Sequence, residues 1–71
     1  DHVSVAAVKQ MITELPEKYE YPLTLFLLNG YDHQEISEIL QITEVASRTL
    51  VHRGKKKLQE QLKQLSYGTG S

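Results

Sequence analysis

The side chains best suited to specific chemistry lie close together in the second half of the chain. They are Arg48, Thr49, His52 and Arg53. Arginine donates two parallel hydrogen bonds to guanine, a contact that contributes about 1–3 kcal/mol of base discrimination. Val45, just upstream, is suited to contact a thymine methyl group. The chemistry that this set offers is hydrogen bonding and apolar contact with base edges.

A second group of side chains is suited to phosphate. Lysine binds backbone phosphates without reading sequence, and the free N–H groups at a helix start bind anions. On this reasoning the expected phosphate contacts are Thr43, Lys55, Lys56 and Lys57. These residues would add affinity, whereas the first group would add specificity.

The elements that must position these side chains are encoded between Asp32 and Leu65. Asp32 and Glu35 have the spacing of a capping box at the start of a short helix, and Thr43 can cap a longer one. At 100° per residue, one stripe of the longer helix faces inward. It comprises Ser47, Val51, Gly54, Leu58, Leu62 and Leu65, with Thr49, His52, Arg53, Lys56 and Lys63 roughly opposite. Two helices joined by a short turn, the second with outward donors, indicate a helix-turn-helix over residues 32–58.

In this motif the first helix crosses the DNA backbone. His33 and Gln34 open that helix, so we expect them near phosphate as well.

The first half of the chain predicts two further helices. One spans residues 3–15, with Ser4 as its cap, and Pro16 ends it. The next ends at Gly30, a suitable left-handed residue; the Asn29-Gly30 pair also occurs in hairpins, but its flanks here are helical. Pro22 is expected to break this second helix, because an interior proline costs about 3 kcal/mol. The prediction is one all-α, four-helix domain over residues 1–71, with a flexible tail at 67–71.

Composition narrows the possible functions. The 71 residues include no cysteine, the three histidines are scattered, and no HExxH occurs, so we expect no metal site, cofactor or catalytic residue. Gly54-Lys55-Lys56 lacks the remaining residues of a phosphate-binding loop. No apolar run approaches the roughly 18 residues of a membrane span, and no signal peptide is visible. We expect a domain excised from a longer cytoplasmic protein.

Charge is distributed unevenly along the chain. The formal net charge is −1, but residues 1–44 carry two lysines against eight acids, whereas residues 45–71 carry six basic residues against Glu60 alone. A simple solvated helix rich in lysine is one interpretation of the basic half. Next to a helix-turn-helix, a nucleic-acid surface is the better one, and the acidic half is then expected to face away from DNA.

Three segments together resemble a known family. LPEKY at residues 15–19, LNGYDHQEISEILQIT at 28–43 and LVHRGKKKL at 50–58 are similar to region 4 of sigma-70-type RNA polymerase sigma factors, above all those of the extracytoplasmic-function (ECF) class. The family pattern is, loosely, LPxxxRxVxxLxxxEGxSxxEIAxxLGISxGTVKSRLxRARxxL. The resemblance implies a wingless member of the winged-helix-like superfamily. It also implies recognition of the promoter −35 element by the last helix, docking of the opposite face on the β flap of RNA polymerase core, and capture by an anti-sigma factor.

The chain also departs from this pattern. Gln41 replaces a turn glycine, which predicts a non-glycine residue at positive φ. Residues 45–50 replace Gly-Thr-Val-Lys-Ser-Arg with Val-Ala-Ser-Arg-Thr-Leu, so that Arg48 and Thr49 keep their chemistry and Leu50 loses an arginine. Two alternatives therefore stay open: a LuxR-type DNA-binding regulator, which shares the helix-turn-helix, and a degenerate region 4 that binds only protein.

Overall fold

Residues 4–70 of the protein form four α-helices. The computed structural model describes the backbone of residues 4–70 and the side chains of residues 4–64. The helices are α1 (Val5–Thr13), α2 (Glu17–Leu23), α3 (His33–Leu40) and α4 (Glu44–Gly70). A π-helical turn, Thr24–Leu28, continues α2, and residues 4–70 contain no strand. The predicted all-α fold class is confirmed.

Three helix starts are fixed by side chains that the sequence predicted. The Ser4 hydroxyl accepts a hydrogen bond of 3.1 Å from the backbone three residues on. At α3, the Asp32 carboxylate accepts from the Glu35 N–H at 2.8 Å, while the Glu35 carboxylate accepts from the Asp32 N–H at 3.0 Å. The Thr43 hydroxyl caps α4 at 3.0 Å. Since a cap satisfies donors that the helix itself cannot, these residues define where α1, α3 and α4 begin.

The predicted break at Pro22 is wrong. The chain is helical from Glu17 to Leu28 without interruption, and Pro22 lies inside α2. Proline lacks an N–H, so the Lys18 carbonyl loses its helical donor. The helix then widens: the Asn29 N–H donates to the carbonyl of the residue five positions earlier at 3.1 Å. Burial of the proline ring, which is less than 2 % exposed, offsets the lost hydrogen bond and keeps the helix intact.

The core is a single apolar cluster to which all four helices contribute. Its members are Met11, Ile12, Leu15, Tyr19, Leu23, Ile36, Val51 and Leu58. On α4 the predicted inward stripe is confirmed from Ser47 to Leu58, and Leu62 is half-buried; the side chain of Leu65 lies outside the described residues. One face of α4 is therefore packed in the core, and Arg53 and Lys56 on the opposite face are exposed.

Gly54 marks the closest approach between α2 and α4. A Cβ atom at this position would lie 2.9 Å from Cγ and Cδ1 of Leu23 and 3.3 Å from Cβ of Tyr19. Leu23 is fully buried. The glycine lets the two helices meet, and α4 continues through it unbroken.

The backbone of α4 continues as far as Gly70. It therefore includes the first four residues of the segment expected to form a tail, while Ser71 and the side chains beyond Gln64 lie outside the described residues.

Candidate nucleic-acid interface

The turn between α3 and α4 sets the angle at which α4 is presented. Gln41 adopts φ 57° and ψ 49°, so the prediction of a non-glycine residue at positive φ is confirmed. The N–H groups of Gln41 and Ile42 both donate to the Ser37 carbonyl, closing the end of α3. Thr43 then caps α4 two residues after the left-handed residue. Residues 33–58 thus form a helix-turn-helix.

A polar joint holds the starts of α3 and α4 together. Ser47 is fully buried, and its Oγ lies 3.2 Å from Nδ1 of His33. The His33 ring also stacks on Phe26, with 4.8 Å between ring centroids and 14° between planes. His33 was expected near phosphate; it is half-buried, and Nδ1 points to Ser47, which leaves only Nε2 for an outside ligand. The sequence signal for this joint is Ser47 itself, because a hydroxyl on an inward stripe needs a partner.

The predicted base-contacting residues are brought together on the outer side of α4. Val45 is 69 % exposed, and Arg48, His52 and Arg53 are exposed as well. Thr49 lies among them and is half-buried. Apolar, donor and acceptor groups therefore share one surface that begins in the first turn of α4.

Arg48 does not extend freely into solvent. Its Nη2 lies 2.6 Å from Oε2 of Glu44, one turn earlier on the same helix, and the two side chains are 58 % and 44 % exposed. Glu44 was absent from the residues that the sequence predicted for the interface. Its i, i+4 spacing from Arg48 is the signal that would have found it.

The residues expected to contact phosphate differ in their surroundings. Lys56 and Lys57 are exposed on α4, and Gln34 is exposed on the first turn of α3. Lys55 is half-buried, with its Nζ 4.6 Å from the centroid of the Phe26 ring. Thr43 is exposed, and its oxygen already accepts the capping hydrogen bond, so its hydroxyl proton is the group left for a phosphate.

Two other features are absent from the described part of the chain. Among those residues, no three of His, Cys, Asp or Glu are placed to hold a metal ion. Nor does any helix there have the length and apolar character to cross a membrane.

Comparison with known proteins decides the family. The family model described as "Sigma-70, region 4" matches residues 2–58, which include α1 and α2 as well as the helix-turn-helix. The chain belongs to the sigma-70 region 4 family. It is 36% identical over 58 residues to the ECF RNA polymerase sigma factor SigW of Bacillus subtilis (strain 168). That match covers 82% of this chain and 31% of the relative, so the chain spans less than a third of that protein. No solved structure matches the chain significantly.

Membership confirms the resemblance and narrows the alternatives. Region 4 is a helix-turn-helix domain for promoter recognition in transcription initiation, and the family is not enzymatic. Because the match extends over α1 and α2, it favours region 4 over a LuxR-type regulator, which shares only the helix-turn-helix.

Proposed function

We propose that this region 4 domain recognises the −35 element of a promoter by placing the first turns of α4 in the major groove. The observation that carries the proposal is that Arg48, His52 and Arg53 are all exposed on α4, whose inward stripe is buried. The N-terminal part of the second helix is the part that reaches base edges in a helix-turn-helix.

Within this proposal the side chains divide by the kind of contact they make. Base contacts are assigned to Val45, Arg48, Thr49, His52 and Arg53. Phosphate contacts are assigned to His33, Gln34, Thr43, Lys55, Lys56 and Lys57. Among the latter, His33 and Lys55 contribute least to DNA affinity, because both pack on Phe26 and are half-buried.

The contact with RNA polymerase core is assigned to a groove on the flank of the domain. The groove has a volume of about 350 Å³ and lies between α2, the α3–α4 turn and α4. Its apolar lining comprises Tyr21, Pro22, Leu40, Ile42 and Leu50, and Glu17 and Lys18 also border it. Tyr21 is 59 % exposed, which leaves the groove accessible. We assign the β flap as its occupant and an anti-sigma factor as a competitor for it. Both assignments place the protein in the cytoplasm.

The test of promoter recognition is selection from a randomised DNA duplex, followed by fluorescence anisotropy on the enriched and scrambled duplexes. Several salt concentrations are compared. A common motif should be enriched, and the logarithm of the association constant should fall with the logarithm of salt by about 0.9 per phosphate contacted. No enrichment together with no salt dependence would contradict DNA recognition.

A second candidate is a region 4 that binds only protein. Two observations favour it: Leu50 lines the groove where the family pattern has arginine, and Arg48 is paired with Glu44. Apolar docking responds little to salt. If the chain captures RNA polymerase core but no duplex, and Leu50→Glu abolishes that capture, the second candidate replaces the first.

A further inference from the structure

One ion pair occurs among the side chains of residues 4–64, and it lies where α4 is proposed to enter DNA. It joins Glu44, the first residue of α4, to Arg48. Exposed i, i+4 pairs of this kind contribute little to stability. A carboxylate in the first turn also interacts favourably with the helix dipole, but that effect does not require Arg48 as its partner.

A carboxylate in a DNA groove has a restricted choice of partners. Phosphates repel it, and guanine and thymine offer it only acceptors on their major-groove edges. Cytosine and adenine offer amino donors, but the adenine donor lies beside the N7 acceptor, which repels a carboxylate, so cytosine is the better partner for glutamate. A carboxylate beside an arginine therefore suits two neighbouring base pairs, one that presents a cytosine amino group and one that presents the N7 and O6 acceptors of guanine.

The spacing of the pair is compatible with such a step. Side chains four apart on a helix have Cβ atoms about 5–6 Å apart. Successive base pairs are about 3.4 Å apart along the duplex. Glu44 and Arg48 can therefore reach neighbouring base pairs while one stays in contact with the other.

We propose that Glu44 is a specificity-determining residue, which accepts a hydrogen bond from a cytosine amino group and positions Arg48 on a nearby guanine. This inference rests on the proposed recognition of DNA by α4. The negative charge of Glu44 also weakens binding to sequences that offer it no donor. Glu44 thus lowers affinity for DNA in general and raises the ratio of specific to non-specific binding.

The test is Glu44→Gln, with Glu60→Gln as the matched control. Glu60 is exposed on the same helix, so the control makes the same change of charge four turns away. Affinities for the selected duplex and for a randomised pool are compared, and each variant is put through selection again. Glutamine pairs with adenine, so Glu44→Gln should shift one position of the motif from cytosine to adenine. It should also lower the ratio of the two affinities by roughly fivefold or more. Glu60→Gln should raise both affinities alike.

Arg48→Ala completes the test as a double-mutant cycle. If Glu44 positions Arg48, the effects of the two substitutions on the affinity ratio should not add. Additive effects, or a Glu44→Gln variant no different from Glu60→Gln, would overturn the inference and leave DNA recognition standing. A chain that binds no duplex would overturn the proposed function, and this inference with it.

Discussion

Ser47 and His33 form a polar contact between α3 and α4, the two helices of the motif. A buried hydrogen bond contributes about 0.5–1.5 kcal/mol, and a stacked aromatic pair adds about as much. We therefore expect Ser47→Ala to lower the free energy of unfolding by about 1 kcal/mol and His33→Ala to lower it by about 2 kcal/mol. Urea unfolding followed by circular dichroism measures both.

The double variant tests whether these two side chains act as a pair. A coupling energy near 1 kcal/mol between Ser47→Ala and His33→Ala is expected. Ser37→Ala is the control, because the Ser37 hydroxyl bonds only to the carbonyl of Gln34 within its own helix. Zero coupling would mean that the contact with Ser47 does not stabilise the joint.

Arg48 and Lys56 separate base reading from phosphate binding. Arg48→Ala removes a side chain that can bond two atoms of one base, so it should relax preference at one position of the motif. Lys56→Ala removes a charge, so it should weaken binding to all duplexes alike. It should also reduce the salt slope, the fall of the logarithm of the association constant with the logarithm of salt concentration, by about 1. Anisotropy with the selected duplex and single-base variants of it measures both effects. Identical effects from the two substitutions would contradict base reading by Arg48.

The turn between α3 and α4 allows a prediction about the cost of its left-handed residue. Gln41 holds a left-handed conformation that costs a non-glycine residue about 1–2 kcal/mol. Gln41→Gly should therefore raise the free energy of unfolding by up to about 1 kcal/mol. Gln59→Gly makes the same substitution in the right-handed helix α4 and should lower it by about 1 kcal/mol. Chemical denaturation of both variants is the measurement, and shifts of the same sign would contradict the prediction.

Gly54 gives the corresponding prediction for the contact between α2 and α4. A methyl group there would overlap the buried Leu23 side chain at 2.9 Å. Overpacking of this kind costs about 1–3 kcal/mol, and the better helix propensity of alanine returns at most about 1 kcal/mol. Gly54→Ala should thus lower the melting temperature, whereas the exposed Gln59→Ala should not. A Gly54→Ala variant as stable as the native chain would show that α2 moves away from α4 at little cost.

Local signals sufficed for part of this architecture. The caps at Ser4, Asp32 and Thr43 and the inward stripe of α4 follow from residue types at fixed spacings, and the structure has them where expected. The same signals did not predict that the helix continues through Pro22, because the burial of this residue comes from packing against elements distant in sequence. Nor did they predict the contact of His33 with Ser47, because periodicity places a residue on a helix face but does not identify its partner on another helix. Contacts between elements are therefore what the sequence leaves undetermined.

At the scale of the whole molecule, the separation of charge predicts which side faces DNA. The salt slope counts phosphates actually contacted, so it depends on one face rather than on net charge. Lys56→Glu with Lys57→Glu should flatten the slope by about 1.8, because two contacts are lost. Glu14→Lys with Glu17→Lys changes the net charge by as much in the opposite direction. It should leave the slope unchanged, because those exposed residues lie at the turn between α1 and α2, outside the helix-turn-helix. The slopes come from anisotropy titrations of both double variants across a range of salt concentrations. If the slope steepened with Glu14→Lys and Glu17→Lys as much as it flattened with Lys56→Glu and Lys57→Glu, DNA binding would depend on the total charge. The prediction that α4 forms the DNA-binding face would then be contradicted.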